Sequence, residues 1–248
     1  MDPGTTEEAG RTLADLERLR RRTHRRAHGG AWLPAAGVAV LLLASMALYR
    51  YPLGQTSSYT AEHPWWAGLP DEQRNPVTSY VFWFVGTPLL FAVTGLWYHW
   101  RARRLGVRVA WPLFAGTGLG VLALLAVLAA VPTGPVPEGL AATDGPYYWQ
   151  GLLTPLLPLA AAIVVLGWAE RSRGLIAAGG WITLLTVWLC TSFPLGYLPG
   201  WATSLLNGGG ESLGGYLALR PGHYLVVMAL PLLAVAAVRL VSSRADRA

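Results

Sequence analysis

Two apolar runs, Tyr80 to Trp100 and Val109 to Val131, contain no Asp, Glu, Lys or Arg, and between them stands Arg101-Ala102-Arg103-Arg104-Leu105-Gly106-Val107-Arg108. At 1.5 Å per residue the first run is about 31 Å long as a helix, the thickness of a hydrocarbon core of roughly 30 Å. A pair of such runs joined by a short basic turn is the pattern of a membrane hairpin. Arg101, Arg103, Arg104 and Arg108 then act as topology arginines and place that turn on the cytoplasmic side.

The composition agrees, because 53% hydrophobic residues against 13% charged in 248 residues is more apolar than a water-soluble domain of this size. All 19 basic residues are arginine. Sixteen of them fall in the segments this orientation puts inside, where 7 of the 13 acidic residues also lie. The net charge of +6 is therefore a flank of apolar spans, and nucleic acid is not an expected partner. Cys190 is alone inside an apolar run, so an intramolecular disulfide and a cysteine-rich metal site are excluded.

The whole chain reads as an all-α polytopic transmembrane bundle of six spans with both termini cytoplasmic, in a cell membrane. Residues 1–30 form a cytoplasmic basic tail, with Leu13, Leu16 and Leu19 at helical spacing among arginines, a pattern suited to an anionic lipid surface. Residues 31–241 form the membrane domain, with spans at about 32–49, 80–100, 109–131, 152–168, 175–193 and 224–238, and residues 242–248 a cytoplasmic tail. The last span is expected to be short and interrupted at Pro231, and Pro88 is expected to kink the second. In the outer loops Trp65 and Trp66 are expected to rest at the headgroup level.

Few residues carry candidate chemistry. Gly179, Thr183, Thr186 and Cys190 recur at helical spacing in the fifth span and form a mildly polar intramembrane face, to be turned toward another helix or a cavity. Gly116 and Gly120 form a small-residue stripe for helix packing, and a homo-oligomer through them is left open. No ionisable residue lies in the middle of a span, which disfavours a cation-coupled transporter. Neither a catalytic constellation nor a nucleotide-binding motif is legible, and no enzyme activity, cofactor or metal is expected.

Three stretches, RRRTHRRAHGGAWLP from Arg20, LWYHWRARRLGVR from Leu96 and GWAERSRGLIAAGGW from Gly167, together resemble a group of uncharacterised multi-spanning integral membrane proteins of Streptomyces and related actinobacteria. The resemblance implies a regulated membrane component and carries over no site residues. Two functional classes follow. One is a non-catalytic structural or regulatory membrane protein responding to membrane lipid or an amphipathic molecule. The other is the permease subunit of an ATP-binding-cassette exporter with a separate ATPase subunit as partner, an analogy at the level of fold.

Overall fold

The computed structural model describes residues 30–53, 66–69, 73–106, 111–131, 152–191 and 220–245. Trp65, Arg108, the tail before Gly30 and the loop 192–219 lie outside these residues. The described chain is helical: α1 (Trp32–Ala44) running into a 3-10 turn (Ser45–Leu48), α2 (Pro76–Leu105), α3 (Trp111–Ala130), α4 (Leu156–Ala169), α5 (Arg173–Thr191) and α6 (Pro221–Ala245). Among the described residues β-pairing is limited to a single bridge between Tyr49 and Gln73. By length and composition α2, α3, α5 and α6 can each cross a membrane, and α1 with its 3-10 turn and α4 are shorter apolar helices.

Local sequence explains where the helices begin and end. Asn75 caps α2, its Oδ1 accepting from the backbone N–H of Val77 at 2.8 Å and of Thr78 at 3.4 Å, with Pro76 in the first turn where no donor is needed. Gly106 ends it in a left-handed conformation, φ 64°. The helix thus continues past Trp100, where apolarity stops, because Arg103 and Arg104 in its last turn oppose the negative end of the helix dipole. Arg104 also lies over the Trp100 ring at 4.1 Å. The sixth helix corrects the expectation of a short span broken at Pro231: it runs 25 residues with that proline inside. Neighbouring helices in an apolar bundle tolerate the freed carbonyl.

Successive helices run in opposite directions. At the arginine-rich end Trp32 of α1 meets Trp97 of α2 edge to face at 5.3 Å, and Trp97 Nε1 donates to the Gly30 carbonyl at 3.0 Å. At the other end the Gly222 N–H, at the start of α6, donates to the Pro52 carbonyl at 2.9 Å. The main pairings are α1 with α6 and α4 with α5, joined by α5 with α6 and by α3 with α4. Gly179 makes the α4–α5 approach close, since a Cβ there would stand 2.7 Å from Val164 and 3.1 Å from the Ala160 carbonyl.

At about 21 Å, α4 is too short for the hydrocarbon core. The chain that leads into it is irregular backbone buried in protein, the form in which non-helical chain would be tolerated between membrane helices. Leu153 and Thr154 are buried, and residues 66–69 pack above them. Thr154 Oγ1 donates to the Gly68 carbonyl. Tyr49 holds Leu69 twice, its hydroxyl accepting from the Leu69 N–H at 2.7 Å and donating to the Leu69 carbonyl at 3.2 Å. Trp66 is packed inside the protein. It is 1% exposed and stacks on Tyr80 at 5.0 Å and Phe84 at 5.9 Å.

The outside of the bundle is apolar. Val77, Val81, Val85, Leu89, Val93 and Leu96 form an exposed stripe along α2, and Leu119, Leu124 and Val127 are exposed on α3. Surface of that kind over whole helices needs an apolar solvent or a partner to cover it.

Candidate functional site

A cavity of about 380 Å³ opens between α2, α3 and α4, with Pro34 and Val38 of α1 at its back. That volume is within the range of small-molecule sites, which are mostly apolar with a few placed polar groups. Leu90, Phe91, Phe114, Leu122 and Ile163 form most of the wall, and Thr87, Thr94 and Thr117 are its hydroxyls. The Thr117 hydroxyl is already engaged, donating to the Leu113 carbonyl at 2.8 Å. Space for the cavity depends on one glycine. Phe91 stacks on Phe114 with ring centroids 4.3 Å apart, and the Phe91 ring lies directly where a Cβ on Gly118 would be.

At its arginine-rich end the cavity is lined by Tyr98 and Glu170. Glu170 caps α4 at its C-terminus and is 6% exposed. Its Oε1 accepts from the Tyr98 hydroxyl at 2.6 Å, and its Oε2 lies 3.9 Å from Arg239 Nη1 and accepts no hydrogen bond among the described residues. Burial pushes the Glu170 carboxyl above its ordinary value, while the Tyr98 bond and the charges of Arg101 and Arg239 pull in the opposite direction without cancelling it. One carboxylate thus ties the ends of α2, α4 and α6 together.

The turn after Glu170 is also built tightly. The Ser172 N–H donates to the Gly167 carbonyl at 2.7 Å and the Arg171 N–H to the Trp168 carbonyl at 3.1 Å, the pattern of a Schellman stop. Arg171 takes the left-handed position of that motif at φ 48°, where glycine is the usual residue. Ser172 Oγ then accepts from the Leu175 N–H at 3.4 Å and caps α5.

The polar face read from the sequence lies elsewhere. Gly179, Thr183, Thr186 and Cys190 are on α5, which contributes no wall to the cavity. Gly179 packs on α4, and Thr183 donates back to the Gly179 carbonyl of its own helix at 2.9 Å. Thr186 is fully buried and its Oγ1 has no hydrogen-bond partner among the described residues; Cys190 is buried beside the same core. Gly116 and Gly120, expected at a helix contact, have open space at their Cβ positions. The α3 glycine against another helix is Gly118, because the covered face of α3 is turned from the predicted stripe. Of the topology arginines, Arg101 folds over Gly30 and Arg103 and Arg104 are exposed.

Tyr98 and Glu170 were the residues the sequence reading passed over. A signal was present: Glu170 is the one acidic residue between Asp144 and Glu211, and it stands at the end of an apolar run beside arginines. Among the described residues no three His, Cys, Asp or Glu side chains gather as a metal site. The chain matches no protein-family model, no curated protein and no solved structure.

Proposed function

We propose that this is a non-catalytic structural or regulatory component of a bacterial cell membrane that takes an apolar or amphipathic molecule into the cavity between α2, α3 and α4. Six crossings with both termini inside accompany this reading, with α1 and α4 completing the set of four long helices. The arginine-rich helix ends support that orientation.

The cavity carries the proposal: an apolar chamber with three threonine hydroxyls, and a tyrosine hydroxyl bonded to a single buried carboxylate at one end, suits a molecule with a long apolar part and a small polar end.

The test uses the purified full chain in detergent with an environment-sensitive apolar dye. Saturable binding is expected. Ala162→Phe, which puts a ring into the cavity from α4, should abolish it while leaving the unfolding temperature nearly unchanged. Equal binding by wild type and Ala162→Phe would overturn the cavity assignment. Turnover of a substrate by the purified chain alone would overturn the non-catalytic one.

A further inference from the structure

Beside the cavity, at the turn between α4 and α5, lies a second groove of about 550 Å³. Its lining consists of Leu113, Trp168, Ala169, Arg171, Arg173 and Ile176, and Leu113 and Ala169 line the cavity as well. The two spaces are therefore neighbours sharing a wall. One is apolar, and the other offers two guanidinium groups beside an indole.

The geometry points to an anionic phospholipid as the occupant, its headgroup phosphate on Arg171 and Arg173 and an acyl chain leading into the cavity. This deepens the proposed function and rests on it, since it needs the arginine-rich end at the membrane surface. Three observations converge. Arg171 and Arg173 are exposed and make no ion pair among the described residues, so their charge is available. Glu170, the carboxylate between them and the cavity, is buried and turned to Tyr98 and Arg239, so it does not neutralise them. Trp168 is 68% exposed at the end of its helix, where an indole suits the headgroup level of a bilayer.

The backbone adds an independent argument. Arg171 occupies a left-handed position that glycine would fill without strain, so the fold does not need a side chain there. The guanidinium there is free to meet a group outside the turn. Basic pockets between membrane helices on the cytoplasmic side are the places where anionic headgroups bind, and a planar fork of donors fits a phosphate.

The experiment is native mass spectrometry of the full chain released from micelles containing either phosphatidylglycerol or phosphatidylcholine with identical acyl chains. Preferential retention of phosphatidylglycerol is expected. Arg171→Gln with Arg173→Gln should weaken it about 30-fold at low salt, from a factor of about five for each arginine near a membrane surface. Arg171→Gly alone should weaken retention about five-fold with an unfolding temperature equal to or above that of wild type, a combination that a merely structural arginine would not give. Glycerol 3-phosphate added in excess should not compete, because it lacks the chain that the cavity holds; competition would show a free phosphate ester and overturn the lipid assignment. Equal retention of the two lipids, or wild-type retention by the double variant, would overturn the inference. In that event continued binding of the apolar dye leaves the proposed function standing, whereas dye binding unaffected by Ala162→Phe removes that too.

Discussion

Replacing Glu170 by Gln should remove a specific part of the pH dependence of stability. The folded carboxyl is held above its ordinary value chiefly by burial. A group raised in this way binds a proton more readily in the folded state. Its stabilising contribution is fully present below the unfolded pKa of about 4.3, and it is lost as pH rises through the folded value. Each unit of separation is worth about 1.4 kcal/mol. The unfolding temperature of the wild type in detergent, followed by tryptophan fluorescence from pH 4 to 9, should therefore contain a downward step with rising pH that Glu170→Gln lacks. Tyr98→Phe removes the 2.6 Å bond to Oε1, which favours the ionised form. It should move the step to higher pH and cost about 1.5–3 kcal/mol where the carboxylate is charged. A step that survives in Glu170→Gln, or one that moves to lower pH in Tyr98→Phe, would refute the assignment of this titration to Glu170.

Gly118→Leu should destabilise the bundle by about 1–3 kcal/mol by driving the Phe91 ring from its stack on Phe114, whereas Gly116→Leu, with open space at its Cβ, should leave the unfolding temperature unchanged. A change of oligomeric state in Gly116→Leu, read by light scattering, would instead show that a second copy covers α3. Tyr49→Phe leaves the Leu69 N–H and carbonyl without their hydroxyl partner and should cost about 1–3 kcal/mol in a denaturant titration. For topology, cysteines placed at Ser58 and Ser212 in a Cys190→Ala background should react with an impermeant reagent from outside and one at Ser243 should not; the reverse pattern would sink the reading that both termini are inside.

Hydropathy and arginine placement made the helices legible because both are properties of segments. The α2–α3 hairpin could be read from Tyr80 to Val131, and α5 came within two residues of its expected ends. Helix ends set by capping were less legible. Loss of apolarity at Trp100 suggested an end, but the stop is Gly106, and Pro231 was read as a break inside a helix that continues through it. The site was legible least of all. The side of α5 bearing Gly179, Thr183 and Thr186 is polar by composition, yet which helix meets it depends on packing rotations that periodicity does not contain. Glu170 stands in a turn, where a solvated carboxylate is the ordinary expectation. Its burial follows from Tyr98, 72 positions earlier, and Arg239, 69 positions later, reaching it from two other helices.

The two ends of the bundle are closed by different chemistry, and this separates the perturbations that reach them. At the end away from the arginines the irregular chain is held by neutral bonds, Tyr49 to Leu69 and Thr154 to Gly68. At the arginine-rich end the closure is a buried carboxylate between a tyrosine and a guanidinium. Salt and proton concentration act weakly on neutral hydrogen bonds and strongly on charges that are incompletely desolvated. A variant of the Tyr49–Leu69 closure should then lower stability by the same amount at every pH, and a variant of the Glu170 cluster by an amount that varies with pH. The cavity lies against the second closure: Tyr98 and Glu170 are its end wall. A ligand that fills the cavity meets the charge-sensitive end of the molecule, so its affinity should vary with pH in wild type and become level in Glu170→Gln. That coupling offers a membrane component a physical route from occupancy to the relative positions of α2, α4 and α6.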